Sequence, residues 1–309
     1  MSEIDLIRNL TADLAQDNSV VIGPGDDCAL VDVNGTSVLL KTDAIVEGVH
    51  FTADTPPKKI GRKAIARPLS DIAAMGGRPS HAVVTVGLPE DFDETRLETI
   101  YRGASEMGEK NGTYIVGGET TRNPVLLISV SLIGHVETDR VLTRKGSRDG
   151  DAVFVTGELG GSIAGKHLDF DPRLAEAHWL AEQFEIHAMI DLSDGLADAL
   201  QQVTVASRVG ARVDADALPL HPQTVQWFQS IGVDPLTEAL IRGDDYELLF
   251  TAPPSFRGRL SHVKKQVGNI AITPIGVITK EQTVVLRRNG TDVPIPNGFE
   301  HFSKPQPRR

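Results

Sequence analysis

Residues 65–77 read IARPLSDIAAMGG, and this segment decides how the surrounding chain can fold. Placed on a helix, its large apolar side chains form one stripe, made by Ile65, Leu69, Ile72 and Met75. Asp71 lies beside that stripe and is followed by two small alanines. A carboxylate next to a buried face needs a partner, and a metal ion is one candidate.

Arg67 offers a second partner for Asp71, because side chains four residues apart meet on a continuous helix. Pro68 lies between them, and a proline inside a helix removes one backbone hydrogen bond. We therefore predict a helix over 58–76 that is kinked or restarted at Pro68, which weakens the Arg67 alternative.

Four other acidic segments begin or end predicted elements: GDDCA (25–29), KTDAIVEGVHF (41–51), GGETT (117–121) and DLSDG (191–195). Taken singly, each has a local explanation, since Asp and Ser favour turns and helix caps. Asp26 is expected to accept backbone hydrogen bonds in its turn, and Ser193 or Asp194 to cap a helix that begins at Gly195. Taken together, the carboxylates predict a site for Mg²⁺, which prefers oxygen ligands and shares them with substrate phosphates.

Composition limits the classes of protein that this chain can represent. It has 309 residues, 40% of them hydrophobic and 24% charged, a net charge of −11 and one cysteine, Cys28. An intrachain disulfide is excluded, and the acidic balance disfavours nucleic acid and anionic membrane surfaces as partners. The N-terminal residues 1–17 have the pattern of an amphipathic helix rather than of a signal peptide, so we expect a cytoplasmic protein.

The pattern of strands and helices predicts two α/β domains. Domain 1–145 contains strands at 37–42, 81–88, 113–116 and 125–136 and helices at 58–76 and 93–110. Domain 146–303 contains strands at 151–157, 246–251, 272–279 and 283–288 and helices at 161–168, 172–187, 194–208 and 221–231. The polar segment KGSRDGD (145–151) is the expected boundary, and the tail 304–309 is expected to be disordered.

The glycine-rich segment GELGGSIAG (157–165) follows a predicted strand and opens a helix. Its amide groups are placed to meet an anion, but it lacks the Gly-Lys-Ser/Thr ending of a P-loop. A tight strand-to-helix turn explains it equally well. His50 has no second histidine at metal-ligand spacing, and by itself it is interpreted as a packed or surface residue.

Read in order, seven segments resemble those of the thiamine-monophosphate kinase family: GDDCAL, TDAIVEGVHF, SDIAAMGG, GGETT, VLTRKG, DLSDGL and GDDYELLF. The resemblance extends from about residue 20 to GFEHF near the C-terminus. It implies the two-domain α/β (α+β) fold of the aminoimidazole-ribonucleotide-synthetase-like superfamily, with N-terminal strands forming a β-barrel at a homodimer interface. It also implies ATP-dependent phosphorylation of thiamine monophosphate to thiamine diphosphate by direct, in-line transfer.

The resemblance further assigns roles to residues. Those implied to hold Mg²⁺ ions are Asp27, Lys41, Thr42, Asp43, Asp71, Glu119, Asp191 and Asp194. Those implied to contact ATP are Tyr101, Gly118, Glu119, Arg144 and Ser193. Those implied to line the thiamine monophosphate site are His50, Asp244 and Phe299. No residue is implied as general acid or base, so the metal ions and Arg144 carry the transfer, and ATP and thiamine monophosphate are the partners.

Four positions depart from the usual family residue: Lys41, Glu119, Asp244 and Phe299. Lys41 brings a positive charge, and the carboxylate of Asp244 is expected to suit the cationic thiazolium ring. The alternatives are another ATP-dependent enzyme of the superfamily, such as aminoimidazole ribonucleotide synthetase or selenophosphate synthetase, and a non-catalytic nucleotide-binding relative. Selenophosphate synthetase relies on a reactive N-terminal cysteine or selenocysteine, whereas Cys28 follows the aspartates here.

Overall fold

The computed structural model describes residues 3–260, 270–296 and 298. Its N-terminal half contains, in chain order, α1 (Glu3–Thr11), β1 (Val20–Ile22), β2 (Ala29–Val33), β3 (Thr36–Val46), α2 (Pro57–Ala74), β4 (Arg78–Leu88), α3 (Glu94–Lys110), β5 (Tyr114–Arg122) and β6 (Leu127–His135). The strands form one sheet in the order β1-β2-β3-β6-β4-β5. Only the β4–β5 pair within this sheet is parallel.

Helix α2 is one continuous helix through Pro68, so the predicted restart at Pro68 is wrong, while the predicted kink stays a prediction. Most of its residues are buried, because α3, the helix Leu174–Gln183 of the C-terminal half and the sheet pack on its different sides. Tertiary packing on several faces outweighs the cost of an internal proline, about 3 kcal/mol. The continuous helix therefore carries Asp71 into the interior.

Two glycines allow α2 and α3 to cross at close range. A Cβ atom built on Gly61 would lie 1.8 Å from the carbonyl oxygen of Ile100, and one on Gly103 would lie 2.1 Å from that of Lys58. Neither position has room for a methyl group. The crossing sets how α2 lies across the sheet, and with it the position of Asp71.

The C-terminal half contains β7 (Ala152–Thr156), α4 (Lys166–Asp169), α5 (Leu174–Gln183), β8 (Ala188–Asp191), α6 (Leu196–Ser207), β9 (Gly210–Asp214), α7 (Pro222–Ser230), α8 (Pro235–Ile241), β10 (Leu248–Ala252), β11 (Ile272–Thr279), β12 (Val284–Arg288) and β13 (Thr291–Pro294). Its sheet has the order β13-β12-β9-β11-β7-β10-β8. Short 3₁₀ helices lie at Thr138–Arg140, Gly161–Ala164, Ala215–Ala217 and Pro254–Arg259. The two sheets with their helices confirm the predicted mixed α/β class.

The two halves share a hydrophobic core. Leu69 and Ile72 of α2 belong to the same buried cluster as Phe154 of β7 and Phe250 of β10. The two phenylalanine rings stack with centroids 5.1 Å apart. The other face of the second sheet packs in a separate cluster with α6. The division near residue 145 stays a prediction, because apolar packing continues across it.

The longer predicted elements correspond to observed ones, whereas several short ones were not predicted. The strands predicted at 37–42, 81–88, 113–116 and 125–136 are β3, β4, β5 and β6. The N-terminal helix is α1, which ends earlier than expected. The unpredicted elements include β8, β9, α8 and β13. Among the described residues, no helix combines the length and apolar character needed to cross a bilayer.

We expect Gly61→Ala to lower the free energy of unfolding by about 2 kcal/mol, because the added methyl group forces the two helices apart. Urea denaturation measures this change. Gly258→Ala is the control, since a Cβ there meets nothing within 4 Å and the residue has no positive φ. Equal stabilities of the two variants would contradict the close crossing of α2 and α3.

Candidate active site

Three aspartates from separate elements meet in the interior. Asp27 precedes β2, Asp71 lies on α2 and Asp191 ends β8. All three are buried, and one carboxylate oxygen of each lies within 4.8 Å of the others. Burial raises the pKa of all three carboxyls, that of Asp191 to about 6, and the neighbouring carboxylates raise them further. We call Asp27, Asp71 and Asp191 the aspartate centre.

Lys41 of β3 supplies one cation to the aspartate centre. Its Nζ donates to Oδ1 of Asp71 at 2.6 Å and lies 3.8 Å from Asp43. Burial works against its charge, but the carboxylates of Asp71 and Asp43 raise the pKa of Lys41 above its ordinary value. An ammonium group has no lone pair, so the protonated side chain is a counter-ion and not a metal ligand. The partner of Asp71 is therefore Lys41 and not Arg67, which donates to the Ala44 carbonyl at 3.4 Å.

Arg144, in the connection between the two halves, supplies the second cation. Its Nη2 and Nε donate to Oδ1 of Asp27 at 2.5 and 3.2 Å, and Nη1 donates to Gln202 of α6. The backbone amides of Asp27 and Arg144 donate to the carboxylate of Asp26, which confirms the role predicted for Asp26 in its turn. The side chain expected to meet ATP phosphates is thus held against Asp27.

Asp191 is joined to both halves by hydroxyl groups. Ser70 of α2 donates to its Oδ2 at 2.7 Å, and Ser193 donates to its Oδ1 at 3.1 Å. The N-cap position of α6 is Gly195, so neither Ser193 nor Asp194 occupies that position as predicted. Asp194 is exposed and does not belong to the aspartate centre.

One carboxylate oxygen of the aspartate centre has no hydrogen-bond partner in the described part of the chain. Oδ2 of Asp27 is buried and accepts no hydrogen bond from any described residue. A buried, unsatisfied carboxylate oxygen is costly unless a cation is bound to it. The donor set around it consists of carboxylate oxygens, which suit a hard divalent cation. The described residues therefore fit a magnesium ion at this point.

The register of the first sheet separates other predicted site residues from this centre. Asp43 pairs with Val130, Val130 with Val84, and Val84 with Gly118, so Asp43 and Gly118 share one row. Three strand spacings separate them, about 14 Å.

Strand alternation also places two predicted metal-holding residues on the outer face of the sheet. Thr42 pairs with the exposed Ser131, whose hydroxyl donates to it at 3.1 Å, and Glu119 pairs with Thr85 in an outward row. The structure does not bring these two side chains to the aspartate centre. Tyr101 lies on α3, half-buried against the core.

A second polar cluster forms where α2 meets the C-terminal half. The ammonium of Lys63, which is fully buried, donates to the His50 carbonyl at 3.1 Å, to Nδ1 of His167 at 2.8 Å and to Oδ2 of Asp244 at 2.9 Å. Tyr246 donates its hydroxyl to Oδ1 of Asp244 at 2.5 Å. The structure thus brings together His50 and Asp244, which the sequence assigned to one site. Phe299, assigned to the same site, lies outside the described residues.

The other acidic residues of GDDYE, Asp245 and Glu247, form contacts within the fold. Gly160 and Gly161 donate their amides to the carboxylate of Asp245 at 2.8 and 3.0 Å. The group that meets the amides of GELGGSIAG is therefore a carboxyl side chain of the protein itself, whose pKa burial raises to about 7. Glu247, not singled out from the sequence, is buried and accepts hydrogen bonds from Arg173, Lys166 and Thr156.

Sequence reasoning missed three polar residues that organise these clusters: Ser70, Lys63 and Gln202. Ser70 stands inside the SDIAAMGG motif, so its place beside Asp71 was the one available signal. Lys63 lies in the predicted helix but at a position that reads as surface. Nothing local marks Gln202.

Two family models match most of the chain. The model described as AIR synthase related protein, N-terminal domain, matches residues 25–136, and the corresponding C-terminal domain matches residues 148–289. The two sheets and the aspartate centre between them therefore belong to a protein of the AIR synthase-related class.

Named relatives narrow this class. The chain is 34% identical to thiamine-monophosphate kinase of Rhodopirellula baltica, over 96% of this chain and 95% of that protein, and 34% identical to the Escherichia coli enzyme, over 93% of each. A solved structure of AaThiL complexed with AMPPCP and TMP superimposes with a TM-score of 0.82 and 30% identity over 97% of both chains. The chain belongs to the thiamine-monophosphate kinase family.

His167 should make the stability of the fold pH-dependent. Burial and the ammonium of Lys63 lower the pKa of His167 to about 4; Lys59, Asp244 and Asp169 are the other charged groups near it. The unfolded chain has a histidine pKa of about 6.5, so the unfolded state takes up the proton first as the pH falls. Stability contributed by neutral His167 is present above pH 6.5 and is lost towards pH 4.

We therefore expect the free energy of unfolding of the wild type to fall, relative to His167→Gln, as the pH is lowered from about 7 to about 5. Glutamine keeps an oxygen that accepts from Lys63 but does not titrate in this range. Urea denaturation at several pH values measures the difference. A difference independent of pH would show that His167 is not held neutral.

Proposed function

We propose that this protein is a thiamine-monophosphate kinase, which transfers a phosphoryl group from ATP to thiamine monophosphate and releases ADP and thiamine diphosphate. The observation that carries the proposal is the aspartate centre, built from both halves of a chain that belongs to the kinase family. A family structure complexed with AMPPCP, an ATP analogue, and TMP supports ATP as co-substrate.

Charge explains why the site requires divalent cations. Five carboxylates (Asp26, Asp27, Asp43, Asp71 and Asp191) face two protein cations (Lys41 and Arg144). The centre is thus acidic before two polyanionic substrates arrive, and Coulomb repulsion opposes their approach.

Magnesium ions would be held by Asp27, Asp71 and Asp191, with Asp43 beside them. When bound, Mg²⁺ neutralises charge on the transferred phosphoryl group and orients the phosphates. Thr42, Glu119 and Asp194 are also proposed to hold metal ions, on the basis of the resemblance. Their side chains lie outside the aspartate centre. Lys41 could hold a metal only through its backbone carbonyl, because its protonated side chain has no lone pair.

The protein's own residues position the reactants. The acceptor is a phosphate oxygen that is already anionic near neutral pH, so no general base is required. Arg144 holds Asp27 in place and offers a guanidinium fork that matches a phosphate. Ser193, tied to Asp191, together with Gly118, Glu119 and Tyr101, forms the proposed nucleotide side.

Thiamine monophosphate is proposed to bind at the cluster of His50 and Asp244, with Phe299. The net charge at this cluster differs from the sequence-based expectation, because the carboxylate of Asp244 is paired with Lys63. Asp244 remains ionised, because Lys63 holds its pKa below the ordinary value against the effect of burial. Its charge is already compensated by that ammonium, so a cationic thiazolium ring meets a paired carboxylate rather than a bare one.

The alternative functions are less favoured. The alternatives are aminoimidazole ribonucleotide synthetase, selenophosphate synthetase and a non-catalytic nucleotide-binding relative. The relatives described above are instead named thiamine-monophosphate kinases, and the similarity to them extends over nearly the full length of the chain. Cys28 is buried, and burial raises the pKa of its thiol well above the ordinary range, which does not suit a reactive cysteine.

The activity test couples ADP release to NADH oxidation with thiamine monophosphate and Mg²⁺. The wild type should turn over, and Asp27→Asn should lower kcat by about 100-fold and raise the Mg²⁺ concentration for half-maximal activity. Asparagine keeps an oxygen for Arg144 while it removes the charge. Asp169→Asn, an exposed carboxylate paired with Lys59, is the control. No thiamine-monophosphate-dependent turnover by the wild type would overturn the proposed function.

We also propose that the protein is a homodimer through the outer face of its first sheet, with the β-barrel that the resemblance implies. This face carries exposed apolar side chains on three of its strands, β3, β4 and β5, namely Leu40, Val83, Tyr114 and Val116. The edge strand β5 adds unpaired backbone groups along one side. An exposed apolar sheet face beside an open edge is suited to a second copy of the chain.

Val116→Glu should convert the dimer to a monomer, because a second copy would bury the new charge without a partner. Sedimentation equilibrium measures the mass. Val205→Glu is the matched control, since Val205 is similarly exposed but lies on α6 of the other half. A wild type that sediments as a monomer, or a Val116→Glu variant that stays dimeric, would rule out this interface.

A further inference from the structure

Lys63 is a buried lysine whose hydrogen-bonding capacity is fully used. An ammonium group has three N–H donors, and those of Lys63 meet the His50 carbonyl, Nδ1 of His167 and Oδ2 of Asp244 at 2.8–3.1 Å. The side chain is 0% exposed. It therefore cannot reach a substrate and acts on its surroundings only through these three partners.

The three partners come from parts of the chain that are distant in sequence. His50 lies between β3 and α2, His167 lies on α4, and Asp244 lies in the segment before β10. Lys63 on α2 is the point where these segments meet. A change in its side chain thus alters hydrogen bonds on both sides of the junction between the halves.

Stability alone does not account for a charge at this position. Burying an ammonium and a carboxylate has a desolvation cost that their attraction often only balances, and an apolar side chain of similar volume is frequently as stable. Burial lowers the pKa of Lys63, against the opposing effect of Asp244. The ion pair is therefore weak evidence for stability and better evidence for a defined geometry.

Asp244 has a conformation that depends on such a geometry. Its φ is +68°, a left-handed conformation that is uncommon for residues other than glycine. Its amide donates to the Ser193 carbonyl at 2.7 Å, and its two carboxylate oxygens accept from Tyr246 and Lys63. Phe170 stacks on the Tyr246 ring with centroids 3.9 Å apart. Each contact fixes the direction of the carboxylate.

His50 is fixed from the same point. The amide of Val46 donates to its Nδ1 at 3.0 Å, so that nitrogen carries no proton and the ring is the neutral Nε2–H tautomer. Its carbonyl accepts from Lys63. The distance between the backbone of His50 and the carboxylate of Asp244 is thus set by one ammonium that both contact.

We propose that Lys63 is a positioning residue for thiamine monophosphate, which holds His50 and Asp244 at the separation that the substrate requires without touching it. This inference rests on the proposed function. It assigns to Lys63 an effect on thiamine monophosphate and none on the nucleotide, because neither Lys63 nor its partners belong to the aspartate centre.

Lys63→Met tests the proposal, since methionine fills a similar volume without a donor. We expect the KM for thiamine monophosphate to rise roughly tenfold, because small displacements of contact groups are costly. The KM for ATP should stay within about twofold of the wild type, since the nucleotide side is not displaced. Lys59→Met is the control: Lys59 lies one turn earlier on α2 and forms an exposed pair with Asp169, so both constants should stay near those of the wild type.

The double variant Lys63→Met/Asp244→Asn keeps the proposal testable if the single variant does not fold. It has no unpaired buried charge, so its melting temperature should lie above that of Lys63→Met, while its KM for thiamine monophosphate should exceed that of Asp244→Asn alone, because the His50 carbonyl has also lost its donor. Calorimetric titration with thiamine monophosphate should give the same ranking without turnover. Equal KM ratios in Lys63→Met and Lys59→Met, or a double variant whose KM equals that of Asp244→Asn alone, would overturn the positioning role alone. Absence of thiamine monophosphate binding and turnover in the wild type would instead overturn the proposed function, and this inference with it.

Discussion

Three carboxylates buried within 4.8 Å of one another cannot be accommodated unless cations are arranged around them. This requirement orders much of the molecule. The cations are Lys41 of β3, which contacts Asp71, and Arg144 of the connection between the halves, which contacts Asp27. The same requirement also explains why α2 is so deeply buried, because Asp71 and Ser70 must reach the centre from the middle of that helix. Oδ2 of Asp27, without a donor among the described residues, leaves one place for a cation from solution.

The sequence predicted α2 and the position of Asp71 beside its apolar stripe, but it allowed for a restart at Pro68 and did not identify Lys41 as a partner of Asp71. Both errors have the same physical origin. Rules for prolines and for residues four apart describe an isolated helix, whereas α2 is surrounded by α3, α5 and the sheet. Its packing overrides the local cost of Pro68, and a lysine 30 residues away displaces Arg67. Elements such as β8, with four residues, were not predicted because so short a segment shows no period.

The acidic members of the candidate site were predictable because each stands in a recognisable segment. Their partners were not, since hydrogen bonds such as Ser70–Asp191 and Lys63–Asp244 join residues 121 and 181 positions apart. The alternation of side chains along a strand also limits which of the predicted residues can reach the aspartate centre. The resemblance implied that Thr42 and Asp43 both hold Mg²⁺ ions, yet neighbouring residues of a strand point to opposite faces. Some of the residues to which the resemblance assigned a role in the site thus lie close together in the structure, and others lie apart.

The glycine-rich turn at 157–165 has amides suited to an anion, and Asp245 fills them. A ligand that is part of the same chain competes at an effective concentration that free phosphate in solution does not match. Phosphate can therefore meet these two amides only if it displaces Asp245 from them. An enzyme that handles nucleotides, phosphate esters and their products gains from this arrangement, because one fewer surface retains phosphate away from the place of reaction.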